Sequence, residues 1–215
     1  MQVGIVGRQQ DALDACRAAI LSEVPGAEVV TIKADCTDEA QVQHAFASLK
    51  QAHGAPEALI YNLSCRPFPP TPLAKVAPSR LEDDWKAGPY AALLCVQQVL
   101  PQMQEAKQGT IILTGASASM RGSATFGSFA VSKCGLRAFA QSLAKEVLAD
   151  GIHVAHVVVD ALVDMPLIHQ FMPGVQPDRL LDPAAVAEHY WQLHTQDKRC
   201  FAFESDIRPI LVDWK

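Results

Sequence analysis

The sequence predicts an α/β fold: a Rossmann-like, doubly wound and mostly parallel sheet of about six strands between two helical layers. Three observations predict it. The stretch from Gly109 to Asp160 runs from an uncharged β-branched segment (GTIILT) through a Ser/Ala/Gly-rich loop and a long helical segment, Phe129–Ala149. It ends in a second Val/Ile run, IHVAHVVVD. Uncharged runs of strand length mark strands buried on both faces, and a strand–helix–strand unit in one sheet is a right-handed parallel crossover. The first sixty residues repeat the same β-α-β-α-β alternation. With 215 residues, 49% hydrophobic and 19% charged, the chain is long enough to bury one core and gives no sign of a second, so a single domain over 1–215 is expected.

The elements follow in order. Gln2–Gly7 (QVGIVG) reads as a short strand, and Asp11–Val24 as a helix facing inward with Leu13, Cys16 and Ile20. Glu28–Ala34 is a second strand. Thr37 suits the N-cap of the next helix, with Asp38 and Glu39 in its first turn, Val42, Phe46 and Leu49 inward, and Gly54 as its stop. Ala58–Asn62 is a third strand. Pro67, Pro69, Pro70, Pro72 and Pro78 then predict an extended loop. Ser79 to Glu82 has capping-box spacing for a short helix, which Gly88-Pro89 interrupts; Pro89 opens a new helix to about Met103, with Pro101 near its end. Gly151 closes the helix of the central stretch. Met165–Pro177 reads as a loop with one helical turn, Asp182-Pro183 caps a helix bearing Val186, Tyr190 and Leu193, and Cys200–Phe203 reads as an edge strand.

Composition narrows the function. A net charge of −5 with scattered Lys and Arg argues against nucleic acid. No apolar run reaches membrane-span length and no targeting segment is visible, so a soluble, cytoplasmic protein is expected. Cys16, Cys36, Cys65, Cys95, Cys134 and Cys200 are widely spaced and read as small buried apolar residues in a reducing compartment. His153 and His156 fall on opposite faces of one strand, and His189 and His194 are five apart on a helix; neither pair has metal-ligand spacing, and no metal is expected.

The order of these pieces resembles the short-chain dehydrogenase/reductase family, which are Rossmann-type nicotinamide-dependent oxidoreductases. Five segments carry the likeness: Arg8 with the following Leu13 (the family's second strand and helix); Ala34-Asp35-Cys36-Thr37 (its acidic turn beside adenine); Leu59 to Ser64 (a worn Asn-Asn-Ala-Gly motif); Gly109 to Ile112 (the strand leading to the catalytic serine); and Phe129 to Lys133, where Tyr-x-x-x-Lys belongs. The resemblance implies NAD(P) as cofactor, with Arg8, Asp35, Asn62 and Lys133 as binding residues, and a small carbonyl or alcohol as substrate. Arg8 could meet a 2′-phosphate, which would favour NADP, or be a solvated cation at a strand end. It also implies a homodimer or homotetramer through helices 89–103 and 129–149, in keeping with a helix that is apolar on more than one face.

The departures bear on activity. The family's general acid is a Tyr, and here Phe129 holds that position with no proton to give. Lys133 is retained, as a ribose contact or as a Lys whose ammonium reaches solvent. The supporting Asn falls on Gly88, and the Ser falls on Ala116 or, with a one-residue shift, on Ser117. Tyr90, Ser128 and Ser119 are candidate substitute acids, each equally readable as a surface or loop residue. Asp160 could be a functional carboxylate at a strand's carboxyl end or a cap on the following turn. The family's opening strand and Gly-rich turn, whose backbone N–H groups hold the pyrophosphate, have no counterpart if Gln2–Gly7 is the second strand; Gln2–Gly7 as a degenerate first strand puts Arg8 and Asp35 out of register. A missing central strand leaves a gap that residues upstream of Met1, direct pairing of the flanking strands, or another chain could resolve. Two functions follow as expectations: an oxidoreductase with altered acid/base chemistry, and a non-catalytic relative kept for binding or assembly.

Overall fold

The structure is a computed structural model and describes all residues except 66, 67 and 213–215. Six strands, β1 (Gln2–Gly7), β2 (Glu28–Lys33), β3 (Ala58–Tyr61), β4 (Gly109–Ala116), β5 (Ile152–Val159) and β6 (Glu204–Ile207), alternate with helices. The helices are α1 (Gln10–Glu23), α2 (Glu39–His53), α3 (Pro78–Trp85), α4 (Ala91–Ala106), α5 (Gly127–Val147), α6 (Pro166–Phe171) and α7 (Pro183–His194). Every strand pair is parallel. The α/β class with its parallel sheet is as the β-branched runs require.

The sheet is in two parts. β1 pairs with β2, and β3-β4-β5-β6 form a four-stranded sheet in that order. β1 does not join β3, so direct pairing of those two strands is not formed, and Gln2–Gly7 does not stand at the sheet's centre. α2 bridges the two parts by packing on β1, β2 and α4. The main core lies beneath α4 and α5, where Val96, Val99, Met103, Leu136 and Leu143 cover Ile111, Leu113, Ile152 and Val154. A second, smaller cluster on the other face packs Leu193 of α7 on Ile112, Ala155 and Val157. That face is bare near the break: Ile60 is 46% exposed, and Leu13 is the one buried residue of α1. Cys16 and Ile20, expected to face inward, therefore lie exposed and half-buried, because no neighbouring helix among the described residues covers that side of α1.

Several local expectations shift. Asp38, not Thr37, caps α2, accepting from the Gln41 N–H at 3.0 Å, while Thr37 donates to Asp35 instead. The Ser79–Glu82 capping box does not form: Ala77 is the N-cap and Pro78 the first helical residue, where its missing N–H is no loss. Gly88 breaks the helical path at φ −98°, ψ −112° within a wide turn, Lys86–Tyr90. Pro101 does not end α4, which runs on to Ala106. The last strand is Glu204–Ile207 rather than Cys200–Phe203, paired to β5 from His156 onward. Asp182 caps α7 as expected. Of the cysteines only Cys65 and Cys95 are buried; Cys16, Cys134 and Cys200 are exposed, so a uniform reading as core residues does not hold. Pro67 lies outside the described residues. Among the described residues no helix is long and apolar enough to cross a membrane, and no group of His, Cys, Asp and Glu is placed to hold a metal ion.

Candidate active site

In an open parallel sheet the strands' carboxyl ends gather at one edge, where ligands bind. Arg8 follows β1, Asp35 lies just past β2, Asn62 follows β3, Ser117 opens the 3-10 turn after β4, and Asp160 follows β5. The candidate residues fall into two groups along that edge.

Arg8 and Asp35 meet in a wide ion pair, Nη1 to Oδ2 at 3.8 Å, with the Arg8 side chain 66% exposed. Burial alone would raise the Asp35 pKa. Hydrogen bonds from the Thr37 N–H (2.9 Å) and hydroxyl (2.7 Å), with the nearby Arg8, hold it below the usual carboxylate range. Asn62 is exposed one strand over, across the break in the sheet.

The second group lies where α5 crosses the end of β4. Lys133 is 3% exposed, and its ammonium donates to the Thr114 carbonyl at 2.8 Å. It therefore does not extend to solvent. Burial presses its pKa down to about 8, with Cys65 pulling slightly the other way. The Phe129 ring sits one turn earlier on α5, its centroid 5.9 Å from Nζ, which is cation–π range. Ser117 is half-buried at the head of the turn, and Asp160 pairs with Arg208 at 3.1 Å.

Beside Lys133 is a buried polar cluster that sequence reasoning missed. Asp84, 3% exposed, accepts from Arg80 Nε through both oxygens at 2.9 and 3.0 Å and from Ser128 Oγ at 2.5 Å. Burial, with Asp84 next to it, pushes the Cys65 thiol up to about 11. Ser132 is buried against Gly88, so close that a β-carbon on Gly88 would stand 2.4 Å from its Oγ. The clue in the sequence was Asp84 itself, an acidic residue on the inward side of a short helix. Of the candidate substitute acids, Ser128 and Ser119 are buried, and Tyr90 stacks at a tilt on Trp85, ring centroids 5.4 Å apart. A cleft of about 210 Å³ opens above Ser128 and Phe129, bounded by Thr71, Lys75, Arg80 and Thr125.

A buried ammonium one helical turn past an aromatic residue, at the carboxyl end of a central parallel strand, agrees with the family match: the short chain dehydrogenase model fits residues 1–166. The chain belongs to the short-chain dehydrogenase family. Among curated relatives, oxidoreductase asL5 of Sarocladium schorii is 27% identical over 152 residues, which is 71% of this chain but 58% of the relative's own length. Among solved structures, a short-chain dehydrogenase from Rhodopseudomonas palustris is 32% identical, with a TM-score of 0.80 over 97% of this chain and 87% of its own. An NADPH-bound short-chain oxidoreductase of Pseudomonas aeruginosa PAO1 with an atypical catalytic center shares the fold at a TM-score of 0.86. It is 15% identical, over 100% of this chain and 88% of its own.

The donor set fits the two nucleoside ends of a nicotinamide dinucleotide: a cation and a carboxylate at the ends of β1 and β2, and an ammonium at the end of β4. Between them no glycine turn among the described residues offers backbone N–H groups to the phosphates, because Gly7 runs straight into Arg8, Gln9 and α1.

Proposed function

We propose that this chain is a nicotinamide-dependent oxidoreductase of the short-chain family, acting on a small alcohol or carbonyl, with an acid/base group other than the residue at position 129. The observation that carries the reading is Lys133. Burying an ammonium so that its pKa falls to about 8 destabilises the fold, and a scaffold kept only for assembly gains nothing from it. Lys133 and Asn62 would hold the nicotinamide ribose, and Arg8 and Asp35 the adenosine end, with Arg8 suited to the 2′-phosphate of NADP. The bound dinucleotide supplies the hydride acceptor or donor. The chain's own residues do the rest. Lys133, fixed by Thr114, sets a positive charge beside the reacting oxygen, and Phe129 excludes water above it. The NADPH-bound relative with an atypical center supports the reading, because the fold tolerates departures from the usual catalytic set.

A second reading, a non-catalytic relative, is favoured by Phe129, whose ring has no proton to give. Titration of NADPH and NADH fluorescence against the purified chain separates the two. Saturable binding in the micromolar range supports the oxidoreductase; no binding at millimolar dinucleotide leaves only the scaffold. Exposed Trp85, Leu93 and Val131 on α3, α4 and α5 further support self-association through these helices, which sedimentation equilibrium tests by mass.

A further inference from the structure

The cleft above Ser128 and Phe129 carries two cations, Lys75 and Arg80, and none of the described residues that line it is acidic. It thus reverses the sign of the chain as a whole, whose formal net charge is −5. Arg80 is held by the buried Asp84, which accepts from its Nε through both oxygens at 2.9 and 3.0 Å, so its charge is partly answered. Lys75 is different. Among the described residues no carboxylate pairs with its ammonium and no carbonyl accepts from it.

The wall that bears Lys75 is seated on α5. Lys75 closes a 3-10 turn, Leu73–Lys75, its own N–H donating to the Pro72 carbonyl at 2.8 Å. Leu73 lies so close over Gly127, the first residue of α5, that a β-carbon there would stand 2.6 Å from its Cδ2. The same segment is tied to the loop before α5, because the Thr71 N–H donates to the Thr125 carbonyl at 2.8 Å. Thr125 sits in the left-handed region at φ 67°, a conformation that a β-branched residue rarely adopts. Of the three hydroxyls in the lining, two are committed: Thr71 donates to the Pro69 carbonyl at 3.0 Å and Ser128 to Asp84. The Thr125 hydroxyl has no partner among the described residues. The cleft therefore offers an ammonium and a hydroxyl as open donors, beside the Phe129 ring.

We propose that this cleft receives a carboxylate of the substrate, so that the alcohol or carbonyl compound is a short hydroxy acid or oxo acid. The inference rests on the oxidoreductase reading above. The carboxylate pairs with the Lys75 ammonium and accepts from the Thr125 hydroxyl, while Arg80 adds positive charge to the same wall. The carbon chain lies along the Phe129 ring toward Lys133. Lys75 is a specificity residue: it holds the carboxylate and takes no part in hydride transfer. A neutral alcohol of the same shape gains nothing from these groups. Size narrows the class further. At about 210 Å³ the cleft is smaller than the roughly 300–1,000 Å³ of sites for drug-sized ligands, so a short acid fits and a fatty acyl chain does not.

Two measurements test this. The probes are short hydroxy acids from glycolate to hydroxyvalerate, each paired with the diol in which the carboxylate is replaced by a primary alcohol. In backbone amide NMR of the intact chain, the acids are expected to shift the Thr71, Lys75 and Thr125 signals saturably, the diols are not, and added salt should weaken the effect. Lys75→Ala should weaken acid binding about 5-fold and Lys75→Arg should keep it; Lys75 is exposed, so neither change strains the fold. Acids and diols that act alike, or acid binding indifferent to Lys75→Ala, overturn the proposal. Initial rates with NADP⁺ on the same pairs are the second measurement. The wild type should favour each acid over its diol in kcat/KM, and Lys75→Ala should cut that preference by about 5-fold. Turnover that favours the diols overturns this inference alone. Acid binding at these signals without turnover of any acid or diol overturns the oxidoreductase reading, and with it the cleft's part in substrate choice.

Discussion

The hydroxyl of Tyr61 reaches the carbonyl of Gly88 at 3.1 Å and that of Ala87 at 2.9 Å, tying the end of β3 to the wide turn between α3 and α4. The turn exists because Gly88 departs from helical geometry and Pro89 has no N–H to give. Tyr61, 3% exposed, donates its one hydroxyl proton between the two carbonyls. Tyr61→Phe removes that donor from both carbonyls, although the Gly88 carbonyl keeps the Ala91 N–H. It is expected to cost about 1–3 kcal/mol in urea unfolding; an unchanged midpoint would mean water or a local shift replaces the hydroxyl.

Gly88 invites substitution by Asn, the residue that the family resemblance leads one to expect there. The packing opposes that. A β-carbon there meets Ser132 Oγ at 2.4 Å and the Ser132 carbonyl oxygen at 2.9 Å. Gly88→Asn should destabilise the chain by about 2–4 kcal/mol, an overpacking and backbone shift together. A thermal melt within a degree of wild type would show that the turn rearranges freely.

Lys133→Met tests whether the ammonium is held at a cost. The folded pKa near 8 against 10.5 unfolded corresponds to about 3 kcal/mol of destabilisation at neutral pH. Loss of the Thr114 hydrogen bond returns about 1 kcal/mol. The variant should therefore be more stable by about 2 kcal/mol and should bind dinucleotide more weakly. If Lys133→Met unfolds more easily, the lysine is structural.

Phe129→Tyr would place a hydroxyl over Lys133 Nζ. If the remaining site is intact, carbonyl reduction should rise by about 10²-fold or more over wild type, read as NADPH consumption. No gain at all, with NADPH still bound, would show that the deficit lies beyond the missing hydroxyl.

Acid should weaken the fold through His156. Its folded pKa is lowered by burial, so between that value and the unfolded pKa of about 6.5 the unfolded chain binds more protons. Stability is then full above about pH 6.5 and falls as pH drops toward the folded pKa. Glu204 and Asp35, lowered in the folded state, add losses at still lower pH. In His156→Gln the slope of unfolding free energy just below about pH 6.5 should flatten; an unchanged slope would assign it to other groups.

The order of elements was legible because strands such as Ile111-Ile112-Leu113 and helices such as that around Leu136 and Leu143 carry their period within a few neighbouring residues. That Phe129 and Lys133 share one helix was legible too, from their four-residue spacing. Helix caps were read less well. Asp38 and Thr37 both can cap, and only the path of the chain out of β2, with Asp35 already engaging Thr37, decided between them.

What the amino-acid order determined by itself was local: which segments are strands, which are helices, and that position 129 has no hydroxyl. The tertiary structure decided what depends on residues far apart in the chain. It set the break between β1 and β3, the burial of Lys133 against Thr114, and the meeting of His156 with Glu204. Hydrophobic periodicity is a property of neighbours along the chain. The partner of a buried polar group is chosen by packing across the sheet, where His156 and Glu204, forty-eight residues apart, become strand neighbours.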